Sequence, residues 1–451
     1  MIQRTTGLAT VDTSPGAILA RFQGWLAQPG LRQSGIMFAA TSLANLLDYA
    51  YNVAMGRMLS TDGYGVLVAL QAVLQIVSVS LVVARTVTAR YAAEFLAKGQ
   101  PAWAGAFSRQ ALRTAAWWGV AAALLLSLIS RPVANLLQIP AATPVLVVAI
   151  ALLPMLLKPV IEGALQGLQK FAALGAVQVA HAAFRLLLGV LLVWLGLDAV
   201  GALAALPLGT LGTVLLGLFL LSSLLWQRAD TPHQLTAAAV ARYSGATLIG
   251  LVSLAALVNM DALVVKHFFA PLVAGQYSMA VTLGKIVVFL PAAFAVVLFP
   301  KSAERHTQQR DSSRLLRWSL AATLLLCGVL TAIYFALPGP ILRLVFGTDT
   351  AFDGPVLGLV ALAMSGYALV NVWLNYYLSV EQTRFVYVMP LAVAVQLTLL
   401  VLFHASLTQV AAMLALSSAG LLVLAEGWYH IQKRSRRNDA AGSEANGQHP
   451  L

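Results

Sequence analysis

Three basic residues stand out because of where they fall: Lys158, Arg185 and Lys285 each sit near the middle of a long apolar run. A charge at the centre of a bilayer costs about 2.5–3.5 kcal/mol on insertion scales, so a cation there needs a partner or a hydrated space. Glu162 follows Lys158 by four residues and His181 precedes Arg185 by four, so each pair shares a helix face. Two readings stay open. Glu162 neutralises Lys158 or Arg185 and ties two helices together, or the group lines a wet, cationic cavity that receives an anionic head group, with Lys285 as a further cation. Asp48 and Asp261 are the acidic residues of two other apolar runs. They are candidates for binding a coupling proton or Na⁺, for pairing with an arginine, or for accepting hydrogen bonds from a neighbouring helix. Asn371 and Asn375, at i and i+4, can hydrogen-bond a sugar; bonding to another helix is the better expectation.

No catalytic residue and no resident cofactor is expected. There is no GxxxxGK[ST], HExxH or GxSxG, and the Gly284-Lys285 pair lacks both the first glycine and the hydroxyl of a phosphate loop. No metal site is expected either, because Cys327 is the one cysteine and no Cys/His cluster has ligand spacing. Polytopic glycosyltransferases and polymerases are the rival enzyme class. They present acidic residues on substantial outer loops, whereas Asp62, Asp198, Asp349 and Asp353 are scattered singly on short ones.

The elements that must position these residues follow from composition. With 60% hydrophobic and 10% charged residues and a mean hydropathy of +0.83, the chain has too little polar surface to coat a soluble globule. Only helices and closed barrels satisfy their backbone in lipid, and twelve helical runs are readable: 34–56, 64–85, 112–130, 143–166, 172–195, 199–226, 243–267, 272–299, 317–337, 355–379, 385–403 and 408–429. The expected fold is all-α and integral to the membrane, with two six-helix lobes. Residues 1–33 form a cytoplasmic N-terminal segment in which 17–26 suit an interfacial helix. Residues 34–226 form the N-lobe, 227–242 an inter-lobe loop, 243–430 the C-lobe and 431–451 a disordered cytoplasmic tail. Pro154, Pro159, Pro207 and Pro291 interrupt spans and permit bends.

Basic residues set the expected orientation. Counting span ends with their loops, the termini and even-numbered loops hold 21 Lys and Arg, and the odd-numbered loops hold four: Arg57, Arg131, Lys266 and Arg343. Both termini are therefore expected in the cytoplasm, in the cytoplasmic membrane. The same rule explains the net charge of +12 without a nucleic-acid partner. Asp48 and Tyr64 lie 213 positions before Asp261 and Tyr277, an echo consistent with six spans repeated in one orientation.

The stretch Asn259-Met-Asp261, then Gly275-Gln-Tyr277-Ser-Met-Ala, then Val297-Leu-Phe-Pro300 resembles the second-half signature of bacterial polysaccharide transporters. These are the oligosaccharide flippases of the multidrug/oligosaccharidyl-lipid/polysaccharide exporter superfamily. Gly56-Arg57-Met-Leu, Asp62-Gly-Tyr64-Gly65, Glu162-Gly-Ala-Leu-Gln166-Gly167-Leu-Gln-Lys-Phe171 and Val345-Phe346-Gly347 fit the same pattern, so the resemblance covers roughly residues 30–430. It implies two lobes around a central cavity, alternating access, and a polyprenyl-pyrophosphate-linked glycan as cargo. Cavity cations, here Lys158, Arg185 and Lys285, would meet the pyrophosphate. Membrane lipid and polysaccharide-assembly proteins are the other implied partners. The related lipid II flippases carry several arginines in their early spans, where this chain offers Asp48. Drug and metabolite antiporters of the same superfamily are the alternative.

Overall fold

The computed structural model describes residues 29–227, 237–289, 313–348, 355–380 and 383–445. The proposed interfacial helix at 17–26 and the Val297–Pro300 motif lie outside them. Every regular element among the described residues is helical.

Helix α1 (Pro29–Met58) starts five residues before its expected span. Ser60 then caps α2 (Thr61–Ser80), its hydroxyl accepting from the Gly63 N–H at 3.3 Å. After a turn at Leu81 the same span continues as α3 (Val82–Ala97), so it runs well past the expected end at residue 85. Helix α4 (Pro101–Leu128) and the short α5 (Ser130–Leu136) lead to α6 (Thr143–Gly167). Helix α7 (Phe171–Leu192) and α8 (Asp198–Leu225) form a hairpin. They are joined where Gly196 takes φ +87, a left-handed conformation that glycine adopts at little cost.

The second half repeats the plan with α9 (Ala237–Phe268), α10 (Pro271–Phe289), α11 (Ser313–Ala336), the short α12 (Pro338–Phe346), α13 (Val356–Ser379), α14 (Met389–Leu402) and α15 (Leu407–Ala445). A 3-10 turn, Thr383–Val388, opens the eleventh span. Helix α15 continues to Ala445, which corrects the expectation of a disordered tail from residue 431. The segment Ile431-Gln-Lys-Arg-Ser-Arg-Arg holds no proline or glycine to stop it.

Ten described stretches are long and apolar enough to cross a membrane. One of them, Phe171–Leu225, is the α7–α8 hairpin and accounts for two spans. Helix α1, with 30 residues, rises about 45 Å and is long enough to cross as well, although Asn45, Asp48 and Asn52 make it more polar. Among the described residues this makes twelve spans, the number read from the apolar runs.

In the first half α1 packs on α7, α7 on α8, and α6 on α3, α4 and α8; in the second, α13 packs on α10, α11 and α15, and α9 on α14. Helix α2 is the exception: its main neighbours are α9 and α10 of the other lobe. The second span thus changes lobes at Leu81.

The lobes meet at the face bearing the odd-numbered loops. A Cβ on Gly65 would lie 3.0 Å from the Gly275 Cα, and one on Gly275 would overlap the Thr61 carbonyl, so α2 and α10 touch backbone to backbone there. Arg57 donates to the carbonyls of Val345 (2.8 Å) and Leu344 at the end of α12. Phe346 covers Gly56 and the ring of Tyr64. Gln138 donates to the His267 carbonyl, and Tyr64 Oη and Thr282 Oγ1 are 2.7 Å apart. Lys266 is buried at this boundary and feels the charge of Asp62 on the other lobe.

Candidate functional site

Small residues bring the charged residues of the first lobe together. Gly163 and Gly167 of α6 form a GxxxG stripe laid against α3. A Cβ at Gly163 would press on the Arg85 carbonyl and sit 2.9 Å from Thr88 Cβ, while one at Gly167 would meet Ala89 and Ala92. This contact fixes Arg85 opposite Glu162.

Glu162 lies between two cations. Its Oε2 is 3.4 Å from an Arg85 terminal nitrogen and its Oε1 is 3.8 Å from Lys158 Nζ. Arg85 Nε also donates to Gln166 Oε1 at 3.1 Å. Glu162 thus faces Lys158 on its own helix and Arg85 on α3. It does not pair with Arg185, whose partner is Asp48 at 3.0 Å. The Arg185 guanidinium also lies over the ring of Tyr51, 4.1 Å from its centroid, and Tyr51 Oη donates to the Ala202 carbonyl at 2.8 Å. Pairing with arginine was one of the three roles open to Asp48, and its backbone carbonyl accepts from Asn52 as well.

Several polar atoms around this group are buried without a hydrogen-bond partner: Arg185 Nε, His181 Nδ1 and Gln71 Nε2. Buried polar atoms are ordinarily satisfied, so a cluster of exceptions points to a solvated or ligand-receiving space.

Lys285 comes from the other lobe. Its Nζ donates to the amide oxygen of Gln75 on α2 at 3.1 Å, a neutral partner; of the charges around it, that of Asp261 on α9 acts more strongly than that of Arg185. Asp261 is fully buried; its Oδ2 accepts from Tyr277 Oη at 3.0 Å, and its Oδ1 has no hydrogen-bond partner. The 213-residue echo is thus a physical contact in the second half only, since Tyr64 bonds to Thr282 rather than Asp48.

Asn375 Nδ2 donates to the backbone oxygen and to Oδ1 of Asn371, at 2.8 and 2.9 Å. The pair bonds within α13, whereas bonding to another helix was the expectation. Four residues on one helix are close enough for the two amides to reach each other first.

The structure brings Asp48, Lys158, Glu162, His181 and Arg185 into one region of the first lobe and sets Lys285 at its border. Asp261, Asn371 and Asn375 lie within the second lobe. Sequence reasoning did not select Arg85, Tyr51, Gln71 or Gln75. Arg85 was grouped with the basic residues of the second loop because it closes the expected span. Gln71 and Gln75 carried a signal, two amides one turn apart in an apolar run. Among the described residues no group of His, Cys, Asp and Glu could hold a metal ion.

No curated protein matches the chain significantly in sequence. A family model described as polysaccharide biosynthesis protein matches residues 54–350. Among solved structures, an inward-facing multidrug resistance MATE transporter of the MOP superfamily superposes with a TM-score of 0.67 at 12% identity, covering 89% of this chain and 99% of that one. The lipid II flippase MurJ in an inward closed conformation gives 0.63 at 13% identity, over 86% of each chain. An outward-facing MATE transporter gives 0.55 at 14% identity, over 90% and 96%. The family model spans about two thirds of the sequence, and the fold is shared along most of its length. The chain belongs to the polysaccharide biosynthesis protein family, and its fold is that of the MATE transporters and of the lipid II flippase MurJ.

Proposed function

We propose that the protein flips a polyprenyl-pyrophosphate-linked oligosaccharide across the cytoplasmic membrane by alternating access. The observation that carries this reading is a cation from each lobe in the membrane interior with donors to spare: Lys285 bonds to the neutral amide of Gln75, and Arg185, beside Asp48, keeps a buried Nε with no hydrogen-bond partner. An anion between the lobes would accept hydrogen bonds from both. Arg185 offers a planar fork to phosphate oxygens and Lys285 a movable point charge. The family description and the fold shared with a lipid II flippase support a glycolipid cargo.

In this reading both termini are cytoplasmic and the odd-loop face is outside. The contacts at that face then close the outer gate, which is consistent with the better fit to the inward-facing MATE transporter than to the outward-facing one. Asp261, with one unpartnered oxygen, is the candidate for a coupling proton or Na⁺. That same residue favours the second reading, a cation-coupled antiporter of small molecules.

The test is reconstitution. Purified protein in liposomes should translocate a lipid-linked oligosaccharide, and Arg185→Ala or Lys285→Ala should abolish it. Export of small cations without glycolipid movement would favour the antiporter. Glycan elongation from a sugar donor would show an enzyme instead.

A further inference from the structure

Glu162 is held unusually loosely for a carboxylate between two cations. Charge-assisted hydrogen bonds to carboxylates typically measure about 2.7–2.9 Å. Here the separations are 3.4 Å to Arg85 and 3.8 Å to Lys158, and the second is too long to be a hydrogen bond. Only two of Arg85's five donors are used in the bonds to Glu162 and Gln166. The two cations remain partly open, with side chains 30% and 22% exposed. Their backbones, by contrast, are rigidly juxtaposed through the Gly163 and Gly167 contacts with α3. A fixed pair of cations with a poorly fitting anion between them suits exchange; the Asp48–Arg185 contact in the same lobe, at 3.0 Å, is closer than either.

We propose that Arg85 and Lys158 form a pyrophosphate-binding station at which the carboxylate of Glu162 holds the place of the cargo and is displaced by it. The station rests on the glycolipid reading given above and adds a site to it. Glu162 lies five residues, about 8 Å, from the end of α6 at the even-loop face, nearer that face than Lys158. A head group arriving from that leaflet would meet Arg85 first and then pass to Arg185 and Lys285. Glu162 reoccupies the cations once the head group has gone, so the station is not left with two unpaired charges.

The proposal has an uncommon signature, because removing the carboxylate should strengthen binding. Equilibrium binding of radiolabelled farnesyl pyrophosphate to the full-length protein in detergent is the measurement. Farnesol serves as the uncharged control, and inorganic pyrophosphate as competitor separates head-group from lipid contributions. Glu162→Gln should bind several-fold more tightly, Arg85→Gln about tenfold or more weakly, and the double variant should lose the gain. Glu162→Asp, which keeps the charge but withdraws it by one methylene, should shift binding in the same direction as Glu162→Gln and by less. It serves if the amide variant fails to fold. Unchanged or weaker binding in a folded Glu162 variant would overturn the station and make Glu162 a structural counter-ion. Wild-type binding that depends on Arg185 and Lys285 but not on Arg85 would remove the station alone. No binding of farnesyl pyrophosphate to wild type would remove the glycolipid reading with it.

Discussion

Replacing Gly275 by alanine should shift the balance between open and closed states of the odd-loop face. The added Cβ has no room: it would overlap the Thr61 carbonyl, and the next nearest atom, Thr61 Cγ2, is 2.9 Å away. Both belong to the opposite lobe, so the clash exists only while the lobes touch at that face. Forcing a methyl group into a packed contact costs about 1–3 kcal/mol. The better helix propensity of alanine, about 1 kcal/mol, acts equally in both states and cancels. The closed-to-open ratio should therefore fall by roughly 5- to 150-fold. Gly65→Ala should act in the same direction but more weakly, because its Cβ would still stand 3.0 Å from Gly275. Gly328→Ala, with nothing within 4 Å, is the control. Distances between spin labels on the odd-loop ends of α2 and α10, measured in lipid nanodiscs, report the ratio. If Gly275→Ala lowered the melting temperature without populating longer distances, the contact would be packing within one rigid body and not a gate.

Arg185→Ala should abolish transport while costing little stability, because the Asp48 side chain is 38% exposed and the freed carboxylate can hydrate. A large drop in melting temperature would mark the pair as structural. Asp261→Asn should remove dependence of transport on a proton or Na⁺ gradient, and Tyr277→Phe, which deletes the hydroxyl bonded to Asp261 Oδ2, should alter that dependence without abolishing transport. Gradient-driven transport by Asp261→Asn at the wild-type rate would exclude that residue. Cysteines placed at the exposed Asp62 and Asp198 should react with an impermeant thiol reagent from outside intact cells. Labelling from the cytoplasmic side alone would invert the orientation.

Hydropathy made the helices legible, because the lipid requirement is local: each run of about twenty apolar residues must satisfy its own backbone. The buried ionisable residues were legible for the same reason. Their partners were not. Asp48 and Arg185 stand 137 positions apart, and nothing in either segment signals the other. Two arrangements, Glu162 with Lys158 or with Arg185, were left open, and packing of α1 on α7, which gives Arg185 to Asp48, decided between them. Arg85 was obscured because an arginine at a span end is the ordinary mark of an inner loop. That marking says nothing about whether the helix continues and turns the side chain inward. Inter-lobe contacts such as Arg57 with the end of α12 depend on how two halves meet, which no local pattern encodes.

The second span belongs to both lobes, and this makes it a lever with its pivot at Leu81. Its first arm, α2, is fastened to α9 and α10, and its second arm, α3, is clamped to α6 by glycines. When the odd-loop face opens, α2 cannot keep both allegiances, and the strain concentrates where the helix already turns. Arg85, one turn beyond that pivot, stays with its own lobe. Gln75 lies on the first arm, and its bond from Lys285 is one of the contacts that fasten that arm to α10. Opening between α2 and α10, which the proposed alternating access requires, would strip Lys285 of its amide partner while Arg185 keeps Asp48, so the second lobe would gain in its hold on an anion relative to the first.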